Sequence, residues 1–334
     1  GIGKQFYCDQ PKVHEYLHEM NINTFGKVEN CITVGEMSAT SVENCIGYTK
    51  PNNHELDMVF SFHHLKVDYK NKEKWTSMPF DFEELKSLLH TWQVEMQKGN
   101  GWNALFWNCH DQPRSVSRFG DDKKYRKESA KMLAATIHLM RGTPYIYQGE
   151  EIGMTNHYFT DIHQYQDVES INAYHILKEQ GINEKEIYKI LQEKSRDNAR
   201  TPMQWNNTEN GGFSKAKPWL QTNDNYKEIN VENDLKDPDS IFKFYQQLIQ
   251  LRKKYSIISE GTYEPYLENH PSVFAYKRHY QNEELVVFNN FYGKETTVEL
   301  ENINEYKVLI SNYKEPDLKV TLTLKPYETI AFYK

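Results

Sequence analysis

The chain has 334 residues, of which 38% are hydrophobic and 13% aromatic, enough for one large domain and a smaller one. Its formal net charge of −7 argues against a nucleic-acid or anionic-membrane surface, since either requires clustered Lys and Arg. No apolar run is long enough to span a bilayer, and the first residues contain no apolar signal segment. We therefore expect neither nucleic acid nor membrane as a partner.

The four cysteines show neither a CxxC pair nor a spacing typical of zinc ligands. They are Cys8, Cys31, Cys45 and Cys109. In a chain of this length the pattern indicates reduced thiols in a cytoplasmic protein. We predict no metal and no cofactor.

Up to about residue 258, apolar β-type runs alternate with amphipathic helical stretches. The predicted strands are Ile32–Glu36, Met58–Phe62, Ala104–Asn108 and Pro144–Gln148. Their near-continuous apolar character suits a parallel sheet that is buried on both faces. The alternation of strands and helices predicts part of a (β/α)8 barrel.

Helical spacing of apolar residues predicts helices over 82–96, 132–140 and 240–255. Gly142, followed by Pro144, is a stop signal for the second helix, and Ser240 is a suitable N-cap for the third.

Four strong strand candidates precede residue 258, whereas a closed (β/α)8 barrel needs eight. An open α/β sheet is the alternative, but no glycine-rich phosphate loop follows any strand. We therefore expect residues 1–258 to form the C-terminal half of a TIM barrel, about strands 5 to 8, with a long loop-rich insertion at 152–239. Half a barrel exposes two strand edges, so we also expect association with a missing N-terminal half.

Residues 259–334 contain only short alternating segments at hairpin-like spacing. The predicted strands here are Val273–Tyr276, Leu285–Phe288, Thr296–Leu300, Tyr306–Ile310 and Thr329–Phe332. This pattern predicts a small antiparallel β-sandwich domain.

Acidic side chains follow the predicted parallel strands. Glu36 ends the first strand, Asp111 lies just beyond the third, and Glu150 and Glu151 lie just beyond the fourth. These strand ends converge on one face of a barrel, and two carboxylates at a common pocket suggest glycoside hydrolysis. Spacing alone leaves the alternative open that these acids only cap the helices that follow.

Four ordered segments resemble the α-amylase superfamily, and more narrowly its oligo-1,6-glucosidase and trehalose-6-phosphate hydrolase branch. They are Val34–Met37, Phe106–Arg114, Gly142–Met154 and Arg196–Trp205. The resemblance extends over essentially the whole chain. It implies a TIM barrel that hydrolyses an α-glucoside with retention of configuration.

The resemblance also implies roles for matching residues. Glu36 would be the general acid/base, and Asp111 would stabilise the oxocarbenium-like transition state. His110 and Arg196 would bind the sugar, while Arg200 would either do the same or brace the loop.

The sequence departs from the family pattern at two points. Cys109 stands where the family usually has Asn, and a thiol lacks the donors of an amide. The family's nucleophilic Asp, in a Gly-Phe-Arg-x-Asp segment, is absent. We expect this chain to lack the nucleophile and to be inactive alone.

The segment Phe60–Tyr69 is similar to the corresponding part of trehalose-6-phosphate hydrolases. Its His63, His64 and Lys66 predict a local phosphate patch on an acidic protein. A solvated charged loop is the alternative. The expected reaction is the hydrolysis of trehalose 6-phosphate to glucose and glucose 6-phosphate. Action on isomaltose-type α-1,6 links, or a non-catalytic sugar-binding or scaffold role, remain as alternatives.

Overall fold

Four short parallel strands organise the first part of the chain in the computed structural model, which describes residues 3–316 and 318–334. They are β1 (Val34–Met37), β2 (Met58–Ser61), β3 (Asn103–Leu105) and β4 (Thr143–Pro144). The strands pair in the order β1-β2-β3-β4, and every pairing is parallel. Each lies where the apolar runs predict it, although each is shorter than predicted.

Helices connect these strands and cover the sheet. Those of the first part are α1 (Lys4–Tyr7), α2 (Pro11–Asn23), α3 (Val42–Thr49), α4 (Phe82–Lys98), α5 (Ser115–Phe119) and α6 (Arg126–His138). Those that follow β4 are α7 (Val168–Glu179), α8 (Glu184–Lys194), α9 (Asp197–Arg200), α10 (Val231–Lys236), α11 (Ile241–Lys254) and α12 (Ser256–Glu260).

Local signals set the helix ends. The Asp81 carboxylate caps α4 by accepting from the Glu84 backbone N–H at 2.9 Å, and Ser240 caps α11 by accepting from Lys243 N at 3.1 Å. The Ser240 prediction is therefore confirmed. Gly142 has a φ of +136°, and a Cβ there would lie 2.7 Å from the Asn103 carbonyl oxygen. A side chain is excluded at this position, which is where the chain turns from α6 into β4.

The outer strands of the parallel sheet differ from its middle. All of β3 is buried, while β1 alternates between exposed and half-buried residues. In the parts of the chain that the structure describes, β1 pairs only with β2 and β4 only with β3. Apolar side chains are exposed next to both outer strands, with Ile32 at 71% and Ile146 at 39%. The two outer edges of this sheet therefore present apolar surface to solvent.

The segment 152–239 contains more regular structure than its loop-rich prediction. Helices α7 and α8 pack on each other around Tyr174, Leu177, Ile187 and Leu191, forming a separate apolar cluster. The apolar residues of α7 show little helical periodicity, but Ile187, Ile190 and Leu191 of α8 recur at helical spacing, so the sequence contained a signal for α8 that the loop-rich prediction overlooked.

Two antiparallel sheets form the last part of the chain. The strands are β5 (Thr262–Tyr266), β6 (Val273–Tyr280), β7 (Glu283–Asn290), β8 (Thr296–Glu299), β9 (Lys307–Ser311), β10 (Thr321–Leu324) and β11 (Thr329–Tyr333). One sheet has the order β5-β6-β7-β11-β9, and β10 pairs with β8 in the other. Side chains from both sheets, such as Phe288 and Leu322, form one apolar cluster. Strands β5 and β10 are not predicted from the sequence.

The other face of the larger antiparallel sheet packs on the helices of the first part. The Tyr276 hydroxyl donates to the Thr136 carbonyl oxygen at 2.9 Å, and the fully buried Arg278 donates to the carbonyl oxygens of Leu139, Ile258 and Gly261 at 2.7, 3.0 and 2.6 Å. One apolar core continues across this contact.

No helix within residues 3–316 and 318–334 is both long and apolar enough to cross a bilayer.

Candidate active site

A cavity of about 230 Å³ opens at the carboxyl ends of the parallel strands. Glu36, from the end of β1, lines it together with aromatic side chains of β2, β3 and the segment after β4, namely Phe60, Phe62, Phe106, Tyr145 and Tyr147. His110, from the segment after β3, lies at the same cavity. Aromatic walls with a carboxylate at one side can hold the apolar face of a ring-shaped polar molecule.

The turn after β3 carries a second carboxylate, Asp111. Its Oδ1 accepts from Arg200 Nη2 at 2.7 Å and lies 3.4 Å from Arg196 Nη1. Arg200 also donates from Nε to the His110 carbonyl oxygen at 2.7 Å, and His110 Nε2 is 3.4 Å from Asp111 Oδ2. The structure therefore brings together His110, Asp111, Arg196 and Arg200 in one cluster.

Two further acids complete this cluster, and the sequence analysis missed both. Asp167 accepts from Arg196 Nη2 at 2.6 Å and from Nε at 3.1 Å. Glu169 Oε2 lies 3.3 Å from Arg196 Nε and accepts from Lys74 Nζ at 2.7 Å. Burial raises the pKa of Asp167, but the hydrogen bond and charge of Arg196 outweigh it and hold that pKa below its usual value. The hydrogen bond that Arg196 donates to Asp167 raises the pKa of Arg196 in turn.

Cys109 directly precedes His110 and Asp111 and lines the same cavity as Glu36. Burial raises the pKa of its thiol to about 11, and the negative charges of Asp111 and Glu36 contribute to that shift. Its Sγ accepts from the Asp111 backbone N–H at 3.4 Å. Cys109 is thus a neutral, half-buried thiol within the electrostatic range of both carboxylates.

Glu150 and Glu151, which follow β4, behave as buried groups. Neither caps a regular helix, since both lie within the short 3₁₀ turn Glu150–Ile152. Burial raises the pKa of both carboxyls, that of Glu150 to about 7. Glu150 accepts from the Tyr245 hydroxyl and from Asn108 Nδ2, each at 2.6 Å.

The two histidines of the predicted phosphate patch are uncharged and, unlike His110 beside Asp111, they lie away from the cavity. His63 stacks on Trp92 at 4.4 Å between ring centroids, and His64 Nε2 lies 2.9 Å from the Phe106 carbonyl oxygen. Neither histidine is among the residues that line the cavity. Burial lowers the pKa of both imidazoles to about 4, so both are neutral at pH 7.

Lys66 is the one Lys in this segment, and it lies near the carboxyl end of β1. Its ammonium donates to the Ser38 carbonyl oxygen and lies 3.4 Å from Ser38 Oγ. The segment is not a solvated loop, because Leu65, Val67 and Asp68 within it are buried. The phosphate chemistry that the sequence suggests therefore depends on Lys66 rather than on the imidazoles.

Comparison with known proteins assigns the chain to a family. Residues 3–261 match the family "Alpha amylase, catalytic domain". The chain belongs to the α-amylase family. Residues 273–331 match the "Alpha-amylase SusG C-terminal domain", which corresponds to the antiparallel sheets.

Relatives of this α-amylase family member include enzymes with two different names. A trehalose-6-phosphate hydrolase of Bacillus subtilis is 56% identical over 99% of the chain. An oligo-1,6-glucosidase of Halalkalibacterium halodurans is 48% identical over 98% of the chain. The chain spans 60% and 59% of the lengths of these two proteins.

Solved structures of the family share the fold. The crystal structure of Bacillus licheniformis trehalose-6-phosphate hydrolase matches all of the chain with a TM-score of 0.95 and 57% identity, and the match covers 61% of that enzyme. Isomaltulose synthase from Klebsiella sp. LX3 matches 97% of the chain with a TM-score of 0.90 and 32% identity, over 59% of its own length. These neighbours are TIM-barrel enzymes with a C-terminal β domain.

Proposed function

We propose that this chain contributes the general acid/base and the transition-state carboxylate of a retaining α-glucoside hydrolase. The observation that supports this most directly is that Glu36 and His110 line the same cavity, while His110 Nε2 lies 3.4 Å from Asp111 Oδ2. In this proposal Glu36 protonates the leaving glycosidic oxygen and then takes a proton from the incoming water. Glu36 is exposed at the cavity, so it is accessible to both.

Asp111 would hold the hydroxyls of the sugar ring as positive charge develops in the transition state. The contacts of Arg200 and Arg196 with Oδ1 fix the direction of this carboxylate. His110, whose side chain is 64% exposed, is available to donate to the sugar. Asp111 is 27% exposed and lies beside His110, which lines the cavity, so this carboxylate is accessible to a ligand, which supports a catalytic role over that of a scaffold.

The nucleophile in this proposal comes from outside the 334 residues. The sequence contains no Gly-Phe-Arg-x-Asp segment, and the exposed apolar edges next to β1 and β4 suit a further set of barrel strands. Half a (β/α)8 barrel would then associate with its other half to close the sheet. The test is to assay the chain alone and together with a separately produced N-terminal half. Turnover by the chain alone would rule this part of the proposal out.

We propose trehalose 6-phosphate as the substrate. The identity to trehalose-6-phosphate hydrolases and the position of Lys66 near the carboxyl end of β1 support this choice. The charge of Lys66 would attract the phosphate as a point charge. Cleavage would give glucose and glucose 6-phosphate, in a cytoplasmic catabolic role.

Lys66→Ala tests the substrate in the intact protein. Loss of one charge-assisted contact is expected to lower kcat/KM for trehalose 6-phosphate by about tenfold or more, while that for an unphosphorylated aryl α-glucoside stays within about twofold. Lys70→Ala, an exposed cation four residues on, is the matched control and should change neither value. An equal loss on both substrates in Lys66→Ala would overturn the phosphate assignment.

Hydrolysis of isomaltose-type α-1,6 links is the second candidate. The 48% identity to an oligo-1,6-glucosidase and the neutral state of His63 and His64 favour it. The discriminating measurement is kcat/KM for isomaltose against that for trehalose 6-phosphate. A preference for isomaltose would replace the proposed substrate and leave the roles of Glu36 and Asp111 unchanged.

A further inference from the structure

A buried hydrogen-bonded chain links helix α11 to the turn that carries the candidate catalytic pair. Glu150 is 7% exposed, and its two carboxyl oxygens have different partners. Oε1 accepts from the Tyr245 hydroxyl of α11, and Oε2 accepts from Asn108 Nδ2, both at 2.6 Å. One carboxyl group therefore connects two separate elements of the fold.

The Asn108 side chain also closes the turn itself. Its Oδ1 accepts from the Ser115 backbone N–H at 2.7 Å, and its Nδ2 donates to Ser115 Oγ at 2.9 Å. His110 and Asp111 lie within the eight residues that these two bonds bracket. Any rotation of the Asn108 amide would change the path of the chain that presents His110 to the cavity and Asp111 beside it.

Glu150 is the hydrogen-bond partner that ties the Asn108 side chain to a group outside its own turn. The space that Glu150, Asn108, Ser115 and Tyr245 enclose measures about 10 Å³, the lower limit for a single water molecule. The desolvation that raises the pKa of Glu150 to about 7 reflects the same exclusion of water. A buried carboxyl that hydrogen-bonds two separate elements can fix their relative position.

We propose that Glu150 is a positioning residue, which fixes Asn108 and, through it, the turn that holds His110 and Asp111. It acts through other residues and does not itself border the cavity that Glu36 lines. The consequence for catalysis rests on the proposed hydrolase function. The consequence for the geometry of the turn does not.

Alkylation of Cys109 reports on this turn without any need for activity. Cys109 directly follows Asn108, and its raised pKa makes the folded thiol react slowly. In Glu150→Ala the turn would loosen and water would reach the thiol, which would lower the pKa of Cys109. At neutral pH, each unit of that decrease raises the thiolate fraction about tenfold, and the alkylation rate rises with it. The measurement is iodoacetamide labelling of the full chain, with Cys109 quantified by peptide mass spectrometry.

Two variants separate positioning from general destabilisation. Glu150→Gln keeps both contacts, because its amide oxygen accepts from Asn108 and its NH₂ donates to the Tyr245 oxygen, so labelling is expected to stay within about twofold of the wild type. Leu248→Ala, one turn along α11 and fully buried, destabilises the same helix without touching Asn108. Equal acceleration in Leu248→Ala and Glu150→Ala, or failure of Glu150→Gln to restore slow labelling, would overturn the proposal.

Tyr245→Phe tests the same series of hydrogen bonds if Glu150→Ala does not fold. It removes one hydroxyl and leaves Glu150 bound to Asn108 alone, so we expect about threefold faster labelling of Cys109. An unchanged rate would count against the proposal.

An activity measurement extends the test to catalysis. In the protein that also carries the nucleophile, Glu150→Ala is expected to lower kcat about tenfold with KM changed less than about twofold, and Glu150→Gln to restore kcat. A change confined to KM would overturn the catalytic part. If no α-glucosidase activity exists at all, the proposed function fails while the labelling result still decides the role of Glu150.

Discussion

Two clusters near the carboxyl ends of the parallel strands contain the same types of residue but differ in their exposure. In the Asp68 cluster, Asp68 accepts from Arg118 at 2.5 and 2.8 Å and pairs with Lys194 at 2.6 Å, and the Arg118 and Lys194 side chains are only 4% and 2% exposed. In the Asp111 cluster, Asp111 pairs with Arg200 and Arg196, whose side chains are 20% and 26% exposed.

The comparison shows that burial, rather than the choice of residues, separates a structural ion pair from a candidate binding site. The Asp68 oxygens are fully used by protein donors, with Lys194 also donating to the Asp68 carbonyl oxygen at 2.9 Å. Asp111, at 27% exposed, retains surface for a ligand.

Asp68→Ala should have the largest effect on stability. It leaves the buried cations Arg118 and Lys194 without their anion, so we expect unfolding free energy to fall by about 3–5 kcal/mol. Urea denaturation measures this value. Asp237→Ala, which removes a half-exposed partner of Lys127, is the control and should cost about 1 kcal/mol or less. Similar losses in the two variants would contradict the importance of burial.

Asp111→Asn should instead affect turnover. The variant loses the negative charge that stabilises the positive charge developing in the transition state. In a protein that includes the nucleophile, we expect kcat to fall by about 10²–10³-fold, which corresponds to an activation free energy higher by about 2.7–4 kcal/mol. Stability should change by no more than about 1 kcal/mol, because the Asp111 side chain is partly exposed. A large loss of stability with unchanged kcat would reverse the roles that we assign to the two clusters.

The Asp68 cluster should also give the protein a specific sensitivity to acid. Although burial raises the pKa of Asp68, the charges of Arg118 and Lys194 hold it below its usual value. The stabilisation is therefore complete above the unfolded-state pKa of about 4 and is lost as pH falls through the lower folded-state pKa. Unfolding free energies of the wild type and Asp68→Asn should converge as pH falls below 4. A difference that is independent of pH would contradict this assignment.

Asp167→Asn should have the smallest effect. It replaces charged contacts to Arg196 with neutral ones while Glu169 remains beside the same guanidinium. We expect about 1 kcal/mol, or about fivefold, in kcat/KM. Steady-state kinetics measure this, and Glu184→Gln, a distant exposed carboxylate, should leave the value unchanged. A loss as large as that of Asp111→Asn would place Asp167 in direct contact with substrate.

The sequence predicts an element of the fold correctly where the spacing of its apolar residues matches the face that the structure buries. The four parallel strands, helices α4, α6 and α11 and five antiparallel strands lie where the apolar patterns predict them. Strand β10 was missed because its Thr-Leu alternation is short, and β5 because it contains Pro265. Their pairing with β8 and β6 is a long-range contact, which a local pattern does not encode.

The candidate site was predictable only in part. Glu36, His110, Asp111, Arg196 and Arg200 were identified from strand ends and motifs. Asp167 and Glu169 were missed because they lie 56 and 58 residues beyond Asp111 in an insertion, where the only local signal is a pair of acids at the start of α7.

The sequence by itself determined the order of elements, the family and which carboxylates follow the parallel strands, because these depend on local periodicity and motif. Only the tertiary structure decided which charged groups are buried and which stay exposed. It buried Asp68 between two cations and made His63 and His64 neutral, while Asp111 stayed partly exposed beside Arg196 and Arg200. The physical reason is that the desolvation of a side chain depends on every element packed around it, and those elements come from distant parts of the chain.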